Sequence, residues 1–505
     1  MADRAASLYV TGRPLRRGSC GRLALGAAVR VEIAGGGIAS VQPLGSVDDE
    51  PLGSPEQILA PGLSDAHVHL VAAAAARAGL DLSTDPPASA GALLARLREH
   101  AASLPGETWL RASGYDETFL AERRHPTREE LDRAATGRAV RLRHATRHAS
   151  VLSTAALARA ESALGPLSAD VAPRDESGRP SGLVIGMEDE LTAVFPALER
   201  GALESALAAV ARELLARGVV CLDEITASND AARVALLADQ VEAGRLPQRV
   251  RAWVRDAEEA EPARRAARGL VEIAGVKLLP RSTEDVRAKE FRDRVCAARR
   301  RGLPLAVHAV EPDVTDAVLD VLASAPPRGP GAGAGVGPDR IEHASLCPPH
   351  LARRLAAARV AVVTQPAFLV SRGAKYEREI EEPLWPWLYP IRSLREAGVL
   401  VAAGSDAPVA PIDPRVGFAG ATTRRSATGT LLGGEERLAP WEALDLFTSA
   451  AARVRGEETG DWLVPGRRAD LALLASDPCE EGLASWSAVH TVIGGRPFAG
   501  ESGLE

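Results

Sequence analysis

Eight short apolar segments, which alternate with stretches of helical periodicity, constrain this chain more than any other feature. They cover residues 58–63, 219–222, 249–254, 272–279, 303–307, 341–343, 360–364 and 399–403. Strands that alternate with helices build parallel sheets, and eight such strands is the number that closes a (β/α)8 barrel. The sequence therefore predicts an α/β fold with a TIM-like barrel.

The first two strand segments are separated by residues 64–218, a gap too long for one crossover helix. We therefore expect an inserted subdomain at about 80–200, within a barrel that occupies 61–461. Short β patterns with frequent glycine turns fill residues 1–60, and similar patterns return in 462–505. These two ends are expected to form one discontinuous domain by completing a common sheet.

Composition excludes several classes of protein. The chain has 505 residues, of which 46% are hydrophobic and 25% charged, as in ordinary globular proteins. A net charge of −7 predicts no nucleic-acid partner and no binding to an anionic membrane surface. The five cysteines are scattered without C-x-x-C spacing, which fits a reducing cytoplasm. No signal-peptide core or membrane-length apolar run occurs, so we expect a cytoplasmic protein, with a homodimer as the default assembly.

Two histidines stand two residues apart, His67 and His69, at the end of the first predicted barrel strand. Residues two apart in a strand point to the same side, and barrel active sites lie at the carboxyl ends of the strands. The pair alone is a weak signal for a metal, because one packed and one solvated histidine would give the same pattern.

Four more residues make the signal stronger. Lys277, His308 and His343 lie in or at the ends of predicted strands 4, 5 and 6, and Asp406 follows strand 8. Neutral imidazole and carboxylate are ligands that suit Zn²⁺ and similar divalent ions. The pattern predicts a metal centre at the carboxyl end of the barrel.

The sequence resembles the amidohydrolase superfamily, most closely the branch of N-substituted formamide deformylases and related amidohydrolases. The resemblance rests on PGLSDAHVHL at 61–70, GYDE at 114–117, HASVLSTAAL at 148–157, AVHAVEPD at 306–313, IEHAS at 341–345, GSDAPV at 404–409 and VPGRRADLALL at 464–474. It implies a (β/α)8 barrel with a small β-sandwich domain built from both chain termini, and an insertion after barrel strand 1.

The resemblance also implies a ligand set for one or two divalent ions, with zinc favoured. By motif match the ligands are His67, His69, Lys277, His308, His343 and Asp406. The lysine is often carbamylated in this family. A carbamate supplies anionic oxygens, whereas an ammonium group has only donors and cannot bind a metal. An ion-paired barrel lysine is the alternative for this position.

The implied function is a metal-dependent hydrolase that cleaves a C–N bond of a small molecule through a metal-activated hydroxide. The bond would belong to an amide, formamide, cyclic amide or carbamate. Asp406 would act as general base and then general acid. The alternative is a metal-dependent deaminase of a ring amidine, because His308 and Glu311 form the His-x-x-Glu pattern of such enzymes. The loop residues 278–282 and 310–313 depart from the family pattern and leave the substrate open.

Further candidates lie in the insertion. His148 matches a family histidine near the substrate and is a catalytic candidate for contact with a carbonyl or an oxyanion. His144 and Arg147 could bind a substrate carboxylate. Tyr115 in the GYDE segment could line the pocket. A solvated basic patch and a packed tyrosine are the alternatives.

Two tryptophans, Trp385 and Trp387, stand out in a chain with few aromatic residues. They follow strand 7, where they could wall an apolar substrate pocket. Packing beneath a loop is the alternative. Glu311, beyond its place in the deaminase pattern, is also a candidate for substrate contact.

Overall fold

The computed structural model describes residues 7–17, 23–45, 51–83, 86–106, 108–146, 148–329, 336–457, 460–479 and 486–500. The chain divides into two compact units. The first comprises Met1–His69, Val210–Asp406 and Ile412–Glu505, and the second comprises Leu70–Ala209 and Ala407–Pro411.

The strands are β1 (Leu8–Arg17), β2 (Leu23–Leu25), β3 (Val29–Ala34), β4 (Gly37–Pro43), β5 (Ile58–Pro61), β6 (Leu63–Val68), β7 (Leu80–Asp81), β8 (Leu110–Tyr115), β9 (Val140–His144), β10 (Ala149–Leu152), β11 (Leu183–Ile185), β12 (Val219–Glu224), β13 (Arg249–Val254), β14 (Val271–Leu278), β15 (Leu305–Ala309), β16 (Arg340–His343), β17 (Ala361–Thr364), β18 (Val401–Ala403), β19 (Leu471–Leu474), β20 (Ala488–Ile493) and β21 (Arg496–Ala499).

The helices are α1 (Leu70–Arg77), α2 (Ala90–Ser103), α3 (Arg128–Ala134), α4 (Thr154–Leu164), α5 (Glu188–Val194), α6 (Arg200–Leu215), α7 (Ala231–Glu242), α8 (Ala260–Ala266), α9 (Thr283–Arg287), α10 (Lys289–Arg300), α11 (Pro312–Ser324), α12 (Pro349–Ala357), α13 (Ala367–Ser371), α14 (Gly373–Glu379), α15 (Ile391–Glu396), α16 (Pro414–Thr423), α17 (Pro440–Phe447) and α18 (Ser449–Val454), with 3-10 helices at Glu117–Phe119, Glu382–Trp387 and Gly434–Glu436. Among the described residues, no helix combines the length and the apolar character that crossing a bilayer requires.

Eight of the described strands form the predicted parallel barrel sheet, in the order β6, β12, β13, β14, β15, β16, β17 and β18. The last strand returns to the first. The amide of Asp406 donates to the carbonyl of His67 over 2.7 Å. A Cβ on Gly404 would lie 2.4 Å from the amide nitrogen of His67, so only glycine permits this approach. The predicted (β/α)8 barrel is confirmed.

The bounds predicted for the first barrel strand, 58–63, are wrong. Residues Ile58–Pro61 form β5, which pairs with β1 and β19 in a different sheet. The barrel strand is β6, and all six of its residues are buried. Gly62 separates the two strands, where an added Cβ would meet the side chain of Val220 at 2.5 Å. The dipeptide Pro61-Gly62, which is typical of turns, marks this break in the sequence.

Both chain ends contribute to one sheet, with strand order β21, β20, β19, β5, β1, β3, β4, and β2 paired with β1. Its apolar side chains form a separate core that includes Val10, Val31, Leu59, Leu471 and Val492, each fully buried. The sequence predicted that the two ends complete a common sheet, and the structure contains that sheet. Its arrangement as a sandwich stays a prediction.

The second unit contains a five-stranded sheet in the order β11, β10, β9, β8, β7. Leu110, Val140, Leu142 and Val151 on its strands are fully buried, in one apolar cluster with Leu93 of α2. Strands β8 and β9 run parallel, with Tyr115 opposite His144. The carboxyl ends of these two strands therefore bring polar side chains together.

Candidate metal centre

The barrel places all six predicted ligands of the first unit at or near the carboxyl ends of its strands. His67, Lys277, His308 and His343 lie on β6, β14, β15 and β16, while His69 and Asp406 closely follow β6 and β18. Parallel strands of a barrel end on one rim, so residues that are distant in sequence converge there.

Ligand atoms of His67, His343 and Asp406 all lie within 4.8 Å of one another. Nε2 of His67 is 3.3 Å, and Nε2 of His69 is 3.1 Å, from Oδ1 of Asp406. The ring of His308 lies 4.5 Å from that of His343, measured between centroids. The structure thus brings four histidines and one carboxylate into one group, which we call the barrel cluster.

Two members of the barrel cluster have an unusual backbone. His343 has a φ of 77° and Asp406 a φ of 56°, in the left-handed region that non-glycine residues rarely adopt. Each such residue costs about 1–3 kcal/mol, and such strain concentrates at functional sites. Here it turns both side chains at points where the barrel strands have just ended.

Three histidines of the cluster are oriented through the ring nitrogen that faces away from Asp406. Nδ1 of His67 lies 2.5 Å from Glu342, Nδ1 of His69 lies 2.9 Å from Thr226, and Nδ1 of His343 lies 2.7 Å from Oε1 of Gln365. A carboxylate and an amide oxygen only accept, so His67 and His343 donate from Nδ1. Their Nε2 lone pairs are then directed at the cluster, as metal ligation requires.

A buried chain of charges supports this orientation. Arg340 donates to Oε1 of Glu342 over 2.5 Å and to Asp223 over 2.6 Å. The side chains of these three residues are at most 1% exposed. The guanidinium also stacks on Trp253, 4.2 Å from the ring centroid. Buried charges of this kind are stable only when each is paired, and here each one is.

Five residues that hold the cluster in place were not predicted from the sequence: Glu342, Arg340, Asp223, Gln365 and Thr226. Arg340 and Glu342 stand two residues apart at the strand segment that ends with His343, so two charges facing the same way were available as a signal. Gln365 and Thr226 stand just beyond barrel strands, and nothing in their sequence distinguishes them.

The electrostatics of the cluster favour neutral His308 and His343 and an ionised Asp406, whereas they favour the charged form of His67. Burial, next to the charge of His67, lowers the pKa of His343 to about 3. Burial near His343 holds the pKa of His308 well below its ordinary value. Burial alone would raise the pKa of Asp406, but His67 and His69 hold it well below its ordinary value. The carboxylates of Asp406 and Glu342 outweigh burial and raise the pKa of His67.

Lys277 is 2% exposed, and its Nζ has no hydrogen-bond partner among the described residues. Oδ1 of Asp406 is likewise buried without an aligned hydrogen bond. Desolvation lowers the pKa of Lys277 to about 8, although Glu342 and Asp406 act in the opposite direction. Buried polar atoms are normally satisfied, so an amine and a carboxylate oxygen left over in one cluster fit a site that takes a further group.

A tyrosine pair lies in the same unit. The hydroxyls of Tyr376 and Tyr389 are 2.7 Å apart. Burial raises the pKa of Tyr376, and the charge of Asp406 adds to the effect. Tyr376 is therefore within electrostatic reach of the barrel cluster, a relation that the sequence did not suggest.

The predicted substrate-contact residues of the first unit are not members of the barrel cluster. Trp385 and Trp387 are half-buried on a 3-10 helix, where Nε1 of Trp385 donates to the carbonyl of Ile380 over 3.0 Å. Glu311 is exposed at the start of α11. Among the described residues, these three make no hydrogen bond, ion pair or ring contact with the cluster, and their substrate contacts stay predictions.

The candidates of the insertion belong to the second unit. The hydroxyl of Tyr115 lies 3.0 Å from Nδ1 of His125, and Nε2 of His144 lies 2.8 Å from Glu117. His148 is exposed. Arg147 lies outside the described residues. His144 contacts a carboxylate of its own chain, and its binding of a substrate carboxylate stays a prediction.

Comparisons with known proteins agree with this architecture. A family model described as the amidohydrolase family matches residues 56–499. The chain is 26% identical over 467 residues to the Bacillus subtilis protein YtcJ, which is described as an amidohydrolase, covering 86% of this chain and 87% of that protein. It is also 26% identical over 527 residues to the N-substituted formamide deformylase of Arthrobacter pascens, covering 95% of both chains.

A similar fold occurs in a solved metal-dependent hydrolase from Pyrococcus horikoshii. The TM-score is 0.74 at 21% identity, and the alignment covers 95% of this chain and all of the other. At this level of identity the likeness concerns the fold. The family match, in contrast, extends over most of the sequence. The chain belongs to the amidohydrolase family, as a hydrolytic enzyme that acts on carbon–nitrogen bonds other than peptide bonds.

Proposed function

We propose that this enzyme is a metal-dependent hydrolase of small amides, formamides, cyclic amides or carbamates, with the barrel cluster as its metal centre. One observation carries the proposal. Four histidines and Asp406 converge at the strand ends, while Nζ of Lys277 and Oδ1 of Asp406 are buried there without hydrogen bonds among the described residues. Imidazole and carboxylate together are a donor set for Zn²⁺.

His67, His69, His308, His343 and Asp406 would hold the ion or ions. Lys277 would join them as a carbamate, formed when its neutral amine bonds to carbon dioxide and releases a proton. Burial without a partner supports this role, because a lone buried ammonium is costly and the neutral amine is favoured. A divalent ion supplies Lewis acidity, which lowers the pKa of water and polarises a carbonyl.

The residues of the chain provide the proton transfer. Asp406 would accept the proton of the attacking water and return it to the leaving nitrogen, so that the amine departs uncharged. Its low pKa makes it a carboxylate at neutral pH, and its strained backbone fixes the direction of its side chain. Glu342, Gln365 and Thr226 keep the histidines in place and do not touch substrate.

Substrate recognition is assigned to the residues predicted from the sequence. His148, whose side chain is exposed, would contact the substrate carbonyl or the oxyanion that develops from it. Tyr115, Arg147, Glu311, Trp385 and Trp387 are proposed as further contacts.

The test is a substrate panel with the full-length chain, stripped of metal with a chelator and reloaded with Zn²⁺. The panel contains an N-substituted formamide, a simple carboxamide, a cyclic amide, a carbamate and a ring amidine. We expect zinc-dependent hydrolysis of at least one of the first four. Asp406→Asn should abolish it, and the exposed helix variant Glu99→Gln serves as a matched control.

Two results would contradict the proposal. Ammonia release from the ring amidine alone would establish the deaminase alternative, and Glu311→Gln would then be the next variant. Turnover that is unchanged after metal removal would show that the barrel cluster does not act through a metal.

A further inference from the structure

A second group of histidine and carboxylate side chains lies in the inserted unit. It consists of Asp116, Glu117 and His144, and we call it the insertion cluster. Asp116 and Glu117 follow β8, and His144 ends β9. Because β8 and β9 are parallel neighbours with Tyr115 opposite His144, their carboxyl ends meet. The register of this sheet therefore brings the three side chains together.

The ligand atoms of the insertion cluster lie within 4.8 Å of one another. Nε2 of His144 is 2.8 Å from Oε2 of Glu117 and 3.9 Å from Oδ1 of Asp116. Nδ1 of His125 approaches the same glutamate oxygen at 3.5 Å. Asp116 and His144 are each 7% exposed. Three residues thus present ligand atoms to one another, with His125 beside Glu117 and its Nδ1 also 3.0 Å from the hydroxyl of Tyr115.

Two of these atoms lack the hydrogen bonds that burial demands. Nε2 of His144 and Oε2 of Glu117 are both buried and have no hydrogen-bond partner among the described residues. They lie 2.8 Å apart, but they are not aligned as donor and acceptor. Buried polar atoms left in this state fit a site where a further group binds to both.

The barrel cluster has the same signature. There, too, imidazole Nε2 atoms lie 3.1 Å and 3.3 Å from a carboxylate oxygen that is buried and lacks an aligned hydrogen bond among the described residues. The arrangement thus recurs at the ends of other parallel strands, in the second unit of the chain.

We propose that the insertion cluster binds a divalent cation of the zinc type through His144, Glu117 and Asp116. Two carboxylates favour a cation over an anion, and the imidazole of His144 favours Zn²⁺ over Mg²⁺ or Ca²⁺. The site goes beyond the proposed hydrolytic centre, since none of its residues belongs to the barrel cluster.

The orientation of His144 is compatible with this role. Its Nδ1 lies 2.7 Å from the hydroxyl of Thr146, to which it donates when Nε2 is the ligand. The amide of Thr146 is 3.1 Å from the same Nδ1, where it donates to the other tautomer. In that second tautomer His144 would be a simple partner of Glu117. Metal content distinguishes the two arrangements.

The experiment counts zinc per chain by elemental analysis, after chelator treatment and equilibrium dialysis of the full-length chain against Zn²⁺. The variants are Glu117→Gln, His144→Gln, Asp406→Asn and the control Glu99→Gln. We expect Glu117→Gln and His144→Gln each to hold about one ion fewer than wild type and Glu99→Gln. Asp406→Asn should keep the ion of the insertion cluster, which Glu117→Gln should lack.

The outcomes separate this inference from the proposed function. If the barrel cluster holds no metal, wild type still binds the insertion ion and Glu117→Gln binds none. Zinc that stays bound to the barrel cluster in Glu117→Gln and His144→Gln would show that both variants are folded. Equal zinc content in wild type, Glu117→Gln and His144→Gln would overturn the proposal and leave a plain histidine–glutamate pair.

Discussion

The barrel cluster and the insertion cluster use the same kinds of side chain but differ in how firmly their surroundings hold them. In the barrel cluster, His67 and Asp406 have side chains at most 8% exposed, and three histidines have an Nδ1 partner. In the insertion cluster the side chain of Glu117 is 25% exposed, and His144 is oriented by Thr146, two residues away in its own turn.

This difference separates positioning by the fold from positioning by a local turn. The partners of the barrel cluster lie on other barrel strands or just beyond their ends, so its geometry depends on the whole barrel. The partners of the insertion cluster come from neighbouring residues in the chain. A preorganised site stabilises transition states because it needs no rearrangement during reaction. The comparison therefore assigns catalysis to the barrel cluster and simple cation binding to the insertion cluster.

The largest effect is expected when the proton-transfer group of the barrel cluster, Asp406, is removed. In Asp406→Asn the side chain can no longer accept a proton, so kcat/KM for the best amide substrate should fall by about 10³-fold or more. Steady-state kinetics beside Glu99→Gln measure the change. A loss of less than about tenfold would remove Asp406 from the mechanism.

Glu342→Gln tests whether the fold holds the barrel cluster through buried charge. The change leaves Arg340 with one carboxylate fewer, so the free energy of unfolding should fall by about 3 kcal/mol. Zinc affinity of the barrel cluster should fall about 10–100-fold, because His67 loses an ionised partner at Nδ1. Urea unfolding and chelator competition measure the two effects. Unchanged zinc affinity together with lowered stability would reduce Glu342 to a purely structural residue.

Gln365→Leu tests the uncharged side chain that accepts the Nδ1 hydrogen bond of His343. His343 would lose the acceptor for its Nδ1 proton, and zinc affinity should fall by about tenfold. Gln365→Glu, which keeps an acceptor at this position, should restore most of the affinity. Equal losses in both variants would indicate that packing at Gln365, and not its hydrogen bond, matters.

The smallest effect concerns the electrostatics of the insertion cluster in the metal-free chain. The His144 imidazole lowers the pKa of Glu117 from 4.5 to about 2. A depressed carboxylate pKa stabilises the folded state above pH 4.5, and this contribution is lost as the pH falls towards 2. After discounting for solvent screening, Glu117→Gln should cost about 1 kcal/mol near neutral pH and less at about pH 3. Urea unfolding midpoints of wild type and Glu117→Gln at several pH values measure this cost. A cost that does not change with pH would contradict the lowered pKa of Glu117.

The sequence predicted the barrel and the members of its cluster because both depend on short-range patterns. Strand and helix periodicity gave eight parallel strands, and the motifs marked six residues at their ends. The break at Gly62, between β5 and the first barrel strand β6, was not predicted, although Pro61-Gly62 is a dipeptide typical of turns.

The supporting residues could not be predicted for a different reason. Thr226, Gln365 and Asp223 act through contacts with residues far away in sequence, and no local pattern encodes such contacts. The insertion cluster shows the same limit. His144 was recognised as a site residue, but its neighbour Glu117 became visible only through the register between β8 and β9.

The most direct test of the central claim is an anomalous difference map at the zinc edge, from crystals of the full-length chain grown with Zn²⁺. The account predicts a strong peak in the barrel cluster, bounded by Nε2 of His67 and His69 and by Oδ1 of Asp406, with added density on Nζ of Lys277. No anomalous peak at these side chains in zinc-containing crystals would contradict the claim that this cluster is a metal centre.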